Sequence, residues 1–412
     1  MHVQAHLDVD LVAVETADEV TLMLELVAPA RPRDARRPPA AVQVVLDRSG
    51  SMGGERLAAA LHGLSTLVDR LDPQDSFGLV AFDDLVEVVV PAGPIHDKHA
   101  IKAAIASVYA RGSTDLSAGL LRGLQEARRV AGAAGATVLV LSDGMANMGV
   151  TDPQQLEGVT AVVRKSNITT STIGIGLGYD ETLLAAVARG GAGNHVFAEA
   201  SDGAAQAIAS EVGGLLDRTV QAASLLLRPT DHVDAITVFN DIPTHAVDDG
   251  LMLELGDLWA GETRKVLLKL QVGALHALGL EQVATVELRY VALPRLVEQT
   301  ITLPIAVNVV PGDQAAGRIP NPKVREEALF QQTQEAKRRA AEALRRGDHD
   351  EAIEVFRAAS AALAAAPTQE LREELAIIDG LTAEVRAGSP DRAAKQSRMD
   401  HAYKSRNRGR GM

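Results

Sequence analysis

The chain contains no cysteine among its 412 residues. That absence excludes disulfides, thiolate zinc sites, iron–sulfur clusters and cysteine nucleophiles. Aromatic residues make up only 3% against a hydrophobic content of 46%. Any core is therefore built from Val, Leu, Ile and Ala. No stretch reaches about eighteen uninterrupted apolar residues, so no transmembrane helix is expected. The opening MHVQAHLDVDLVAVETADEV carries scattered acids and lacks the basic start and apolar core of a secretory signal. A cytoplasmic location is the resulting expectation. The phosphate-cradling pattern G-x-x-x-x-G-K-[ST] is missing too, which excludes nucleotide hydrolysis by that route. GIGLG at 174–178 has glycines at the wrong spacing and on a late strand for a dinucleotide loop, and reads as tight turns.

What is present is unevenly charged. The formal net charge is −13. Residues 391–412 hold seven Lys/Arg against two Asp, so residues 1–390 carry −18, which is −13 minus +5. An acidic body makes nucleic acid an unlikely partner. The basic tail, 389–412, reads as a disordered solubilising segment.

Three compositional regimes follow one another. Residues 1–30 alternate in strand fashion, and the Pro- and Arg-rich ARPRDARRPPA (30–40) reads as a linker, so the first segment is bounded at 1–37. From 38 to 217, short apolar runs such as AVQVVLD and ATVLVLS alternate with helical patterns. This predicts an α/β domain with a doubly wound, mostly parallel, Rossmann-like sheet and one antiparallel edge hairpin turning at Asp83-Asp84. Residues 218–312 show strands and turns without helices, a β-sandwich pattern. Residues 1–37 complete that sandwich, which makes the α/β domain an insertion in it. Residues 320–388 are helical. Their AEALRRGDHDEAIEVFRAA resembles a tetratricopeptide hairpin but falls short of the three repeats an independent array needs. A helical extension packed on the rest is expected.

The chemistry gathers at strand ends. The run VVLDRSGSM (44–52) leaves an apolar strand through Asp47 and then offers Ser49 and Ser51 around Gly50. A later strand ends in LSDG, with Asp143, and the loop RGSTDLSAGL between them supplies Thr114. Ligands of doubly wound sheets bind beyond the carboxyl ends of the strands. Three segments thus bring two carboxylates and three hydroxyls to one edge. Hard oxygen donors of this kind suit Mg²⁺ or Mn²⁺, tolerate Ca²⁺ and are poor for Zn²⁺.

On these residues, region 41–217 resembles the von Willebrand factor type A (VWA) domain. DRSGS matches the family's D-x-S-x-S element, Thr114 its single threonine and Asp143 its later aspartate. The stretch TIGIGLGYDETLLAAVARGGAGNHVFAEA follows the family's last third. Ser113 stands where the family usually has glycine. The resemblance implies a complete metal-ion-dependent adhesion site on Asp47, Ser49, Ser51, Thr114 and Asp143. It further implies that a bound Mg²⁺ (or Mn²⁺ or Ca²⁺) accepts an Asp or Glu from a partner protein. Residues 253–272 resemble the β-rich segment after VWA domains in bacterial cytoplasmic proteins, whose relatives often act beside AAA+ ATPases, kinases or phosphatases. An adaptor or scaffold, not an enzyme, is the resulting expectation.

Three rivals are weighed against it. The hydroxyls could simply cap a helix. A metal-dependent hydrolase would need a general base, and the available acids Asp75, Asp83, Asp84 and Asp115 are expected at turns and caps. His62 and His195 have no partner motif. Alternatively the helices could be the scaffold and the VWA domain inert. Arg48 is expected to be a solvated surface residue, and Trp259, the single tryptophan, a core or rim anchor.

Overall fold

A computed structural model of the chain describes residues 1–31, 37–143, 146–176, 178–198, 201–365 and 368–405. The chain begins with strands β1 (His2–Leu7), β2 (Leu11–Ala13) and β3 (Asp18–Val27). The α/β region follows: β4 (Ala41–Asp47), α1 (Glu55–Arg70), β5 (Ser76–Phe82), β6 (Val86–Pro94), α2 (Lys98–Ala106), α3 (Leu116–Val130), β7 (Ala136–Ser142), α4 (Pro153–Arg164), β8 (Ile168–Ile175), α5 (Glu181–Gly190), β9 (Ala192–Ala198) and α6 (Ser201–Leu216). Seven strands come next: β10 (Arg218–Pro229), β11 (Val233–Val238), β12 (Thr244–Val247), β13 (Gly250–Trp259), β14 (Thr263–Val272), β15 (Gly279–Ala292) and β16 (Val297–Val310). The described chain closes with helices α7 (Gly312–Ala316), α8 (Pro322–Arg345), α9 (His349–Leu363), α10 (Gln369–Arg386) and α11 (Pro390–Lys404).

The α/β sheet has the order β6-β5-β4-β7-β8-β9. All pairs are parallel except the β5–β6 hairpin, as the sequence led one to expect. Every residue of β4 and β7 is buried, because helices cover both faces and leave no solvent side that would favour alternation. One face packs Leu57, Leu64 and Val68 of α1, Ile105 of α2 and Ile208 of α6. The other packs Leu120 and Leu124 of α3, Leu156 of α4 and Leu183 and Val187 of α5. Helix starts are fixed by Asp97, Asp115, Asp152 and Asp180, whose carboxylates each accept an N–H of the first turn. This local chemistry satisfies donors that the helix itself cannot.

Two further sheets lie face to face. One runs β1-β3-β14-β11, the other β12-β13-β10-β15-β16-β2. Their shared core is aliphatic, with Leu22, Leu24, Leu225, Leu253, Val266 and Val286 among its fully buried members. Chain segments from before and after the α/β region thus share each sheet. β3 pairs with β14 over ten residues, from Thr263↔Val27 to Val272↔Asp18. β2 adds to β16 at the edge of the other. Trp259, at the end of β13, lies against Gly214 of α6, where a Cβ would come within 2.1 Å of the indole. It therefore joins the sandwich to the last helix of the α/β region.

The helices α8–α11 form a bundle around Ala340, Phe356, Ile378, Leu381 and Ala393. It docks through Val324 of α8 onto Met23 and Leu267, on the outer face of the β3/β14 sheet. One expectation is overturned here. Residues 390–404, read as part of a disordered tail, form α11, with Ala393 and Ser397 fully buried. Composition treats each charge as solvated, yet these basic side chains find acids on the body and, for Lys404, on α11 itself as well. Arg398 pairs with Glu181 of α5 at 2.8 Å, and Lys404 with Glu374 and Asp400 at 2.8 and 3.1 Å. Residues 406–412 lie outside the described part. No helix among the described residues is long and apolar enough to cross a membrane.

Candidate metal site

The strand order changes direction around β4, which has β5 on one side and β7 on the other. Asp47 is the last residue of β4, and Asp143 follows the last residue of β7. Parallel register places Leu46 beside Leu141, so the two carboxylates emerge from adjacent strand ends. Both are fully buried side chains.

The chain then curls. Ser49 N–H donates to Asp47 Oδ1 at 2.8 Å, and residues Gly50–Met52 make a single 3₁₀ turn. Met52 is buried under the sheet edge and anchors the turn. Ser49 Oγ and Ser51 Oγ are 3.1 Å apart, and Ser51 Oγ donates to Asp143 Oδ1 at 2.8 Å. Ser49 is buried and Ser51 exposed, so the cluster opens to solvent on the Ser51 side. The capping alternative fails on geometry. Neither Ser49, at the start of the 3₁₀ turn, nor Gly54, at the start of α1, makes a side-chain cap hydrogen bond.

The third segment runs alongside. Gly50 N–H donates to Gly112 O at 3.1 Å and Arg111 N–H to Arg48 O at 2.8 Å. Gly112 has φ +69°, a left-handed conformation that favours glycine. A Cβ there would also lie 2.0 Å from Asp84 Oδ1. Thr114, 4% exposed, has its N–H held by Asn147 Oδ1 at 3.1 Å. Its own O accepts from the N–H groups of Asn147 and Met148. Among the described residues, no side-chain hydrogen bond links Thr114 to the other four. Asp47, Ser49, Ser51 and Asp143 thus form one connected cluster, and Thr114 borders it through the backbone.

Three neighbours were not selected by the sequence reading. Ser142 Oγ donates to Asp47 Oδ2 at 2.6 Å. Asn147 fixes the Thr114 loop. Arg56, in the first turn of α1, pairs with Asp143 Oδ2 at 2.6 Å and is itself 44% exposed. Its position five residues beyond Ser51 was the available signal. Arg48 differs from expectation: it is 3% exposed and pairs with Asp83 at 2.9 Å and Glu87 at 2.5 Å. Its strand-end location puts it beneath the β5–β6 turn instead of in water.

The electrostatics are lopsided. Burial pushes the Asp47 carboxyl above its ordinary range, and nearby Asp143 pushes the same way. The Ser142 and Ser49 hydrogen bonds oppose that rise without reversing it. No salt bridge among the described residues reaches Asp47. An isolated buried carboxylate is costly unless a charge compensates it. The donor set around it, carboxylate and hydroxyl oxygen, is the set a hard divalent cation takes. The residues therefore fit such an ion, with Asp47, Ser49, Ser51 and Asp143 as the holding groups and Thr114 at the margin.

Three of the four acids considered as general bases are occupied elsewhere, and the fourth, Asp84, is exposed beside Gly112. Asp75 accepts from Arg37 at 2.6 and 2.5 Å and from Ala40 N–H. Asp83 is shared by Arg48 and Arg111. Asp115 caps α3 through Ala118 N–H. His195 is buried between Thr172 Oγ1 (2.8 Å) and Tyr179 OH (3.2 Å), and His62 lies exposed on α1.

Comparison with known proteins bears on the fold that carries these residues. Residues 42–211 match the model of the von Willebrand factor type A domain. The Escherichia coli (strain K12) protein YfbK is 32% identical over 203 residues, covering 48% of this chain and 35% of that one. The chain therefore spans about a third of that relative's length. The Synechocystis protein sll0103 is 27% identical over 295 residues, 69% of each chain. Among solved structures, a von Willebrand factor type A protein from Catenulispora acidiphila superposes with a TM-score of 0.74 at 16% identity. It covers 97% of this chain and 96% of that one. At that identity the likeness speaks for the fold, and it extends over the sandwich and helices as well as the α/β region.

Proposed function

We propose that the von Willebrand factor type A domain formed by residues 42–211 is an ion-dependent protein-binding module. Mg²⁺ is the first choice, with Mn²⁺ or Ca²⁺ as substitutes, held by Asp47, Ser49, Ser51 and Asp143, with Thr114 adjoining. A bound ion would supply a positive centre for a partner's Asp or Glu carboxylate. The observation that carries this reading is the buried Asp47 carboxylate, which no cation among the described residues compensates. The protein's own groups do the rest. Ser142 and the Ser49 N–H fix one carboxylate, Ser51 and Arg56 the other, so the oxygens are oriented before an ion arrives.

The role proposed is binding, not catalysis. Its support is the engagement of Asp75, Asp83 and Asp115 in structural contacts, which leaves them poorly placed to accept a proton from water. The experiment is retention of host proteins on the immobilised full chain, in Mg²⁺ and in EDTA, for wild type and Asp47→Ala. The reading expects a partner held in Mg²⁺ and lost in both other cases. A set of retained proteins identical in all conditions would overturn it.

A further inference from the structure

The loops that frame the site carry an unusual share of the molecule's exposed apolar side chains. Thirteen large hydrophobic residues are exposed among those described; four of them, Leu85, Tyr109, Met148 and Val150, lie on these loops, and a fifth, Val86, opens β6 next to Leu85. Leu85 and Tyr109 are 61% and 62% exposed. Clustering of this kind on an otherwise acidic protein marks a contact surface more than chance does.

These side chains are held in place. On one flank, Leu85 N–H donates to Asp83 Oδ1 at 2.7 Å. Asp83 Oδ2 accepts from Arg111 Nε at 2.7 Å, and the Arg111 guanidinium lies 5.7 Å from the Tyr109 ring centroid. On the other flank, Met148 N–H donates to Thr114 O at 3.3 Å and Val150 N–H to Ser117 Oγ at 3.0 Å. Both flanks are thus pinned to the segment that carries Thr114. Two half-exposed arginines, Arg56 and Arg111, sit on the same rim. Tyr, Met and Arg are the residue types enriched where proteins meet. Both arginines are paired, Arg56 with Asp143 and Arg111 with Asp83, so the ligand's acid is selected by the proposed ion, and the apolar side chains select for what flanks that acid.

We infer that this surface takes a protein segment whose Asp or Glu is flanked on both sides by large apolar residues. The inference rests on the ion-dependent reading of the site and adds the sequence preference of the partner. Removing Leu85 and Tyr109 from contact weakens the preference, and removing Met148 and Val150 as well abolishes it, since it comes from apolar area excluded from water.

The test uses the full chain and fluorescence anisotropy with two labelled, end-capped peptides. Each has one central Glu, flanked by Leu and Phe in one and by Ser and Gly in the other. In millimolar Mg²⁺ the apolar-flanked peptide should bind at least about tenfold tighter. The double variant Leu85→Ser/Tyr109→Ser, which keeps Met148 and Val150, should narrow the difference between the two peptides, and adding Met148→Ser/Val150→Ser should bring them to the same affinity. Replacing the central Glu by Gln, or adding EDTA, should weaken binding of the apolar-flanked peptide. Equal, Mg²⁺-dependent affinities in wild type would overturn the inference and leave the ion-dependent reading standing. Peptide binding indifferent to both EDTA and Glu→Gln would overturn that reading and the inference together. Failure of both peptides to bind, with a Mg²⁺ shift of thermal unfolding still present, would overturn the inference alone.

Discussion

Two buried charge clusters in this molecule are built on opposite plans. In the helical bundle, Lys337 is fully buried and pairs with Glu374 at 2.5 Å and Asp400 at 2.8 Å. Lys404 reaches the same two acids, and Gln334 donates to Glu374 at 3.0 Å. Two cations meet two anions, and the cluster balances. At the ends of β4 and β7, two buried carboxylates, Asp47 and Asp143, meet one cation among the described residues, the half-exposed Arg56, which touches only Asp143. The first cluster is complete within the chain. The second is one positive charge short among the described residues, a shortfall that the proposed ion would make good.

The comparison is broken most directly by removing one partner from the balanced cluster. Lys337→Met leaves two buried acids with only Lys404, and should cost roughly 3–5 kcal/mol, read by urea unfolding of the full chain. A loss below about 1 kcal/mol would show that the cluster is not the bridge its geometry implies.

Next in size is the effect of supplying the missing charge. Mg²⁺ at about a hundred times its dissociation constant should stabilise the wild type by roughly 2.7 kcal/mol, and should do nothing for Asp47→Asn. In EDTA, Asp47→Asn should be no less stable than wild type, because it removes an uncompensated charge. A variant several kcal/mol less stable in EDTA would mean that Asp47 is itself structural.

The balanced cluster also has a pH signature. Burial alone would raise the Glu374 carboxyl, but the Lys337 and Lys404 ammonium groups overcome it and hold it below its ordinary range. Its contribution is therefore fully present above the unfolded value of about 4.3 and fades as pH falls through the lower folded value. Burial alone would lower Lys404, and Asp400 and Glu374 raise it instead. Its contribution is present below about 10.4 and fades as pH rises through the higher folded value. Stability of Glu374→Gln measured from pH 2 to 6 should show a shallower acid loss than wild type.

The smallest effect sharpens the contrast. Arg56 competes with an ion for Asp143 but is 44% exposed, where screening leaves ion pairs about 0.2–1 kcal/mol. Arg56→Ala should tighten Mg²⁺ binding by no more than about fivefold, seen in calorimetric titration.

The two clusters also differ in how far the sequence revealed them. Asp47, Ser49 and Ser51 fall within five residues, at the end of an apolar run whose type and direction periodicity discloses. Sheet topology then brings Asp143 and Thr114 to the same edge. The doubly wound sheet and its edge hairpin were legible for the same reason, since apolar runs and helical spacing are local. The bridge joining Lys337, Glu374 and Asp400 spans three helices, and nothing local marks its members. The same blindness turned α11 into a disordered tail and Arg48 into a surface residue. In each case the compensating acid is remote in sequence: Glu181 for Arg398, Asp83 for Arg48. Arg56 is the intermediate case, close in sequence to Ser51 but tied to Asp143 only by the fold.

The central proposal is that the strand-end cluster, one cation short among the described residues, binds a divalent ion. Isothermal titration of the full chain with Mg²⁺, Mn²⁺ and Ca²⁺ after removal of bound metal, for wild type and Asp47→Asn, tests it most directly. The account predicts one ion per chain in the wild type and none in the variant. No binding of any of the three ions by the wild type, or equal binding by the variant, would contradict it.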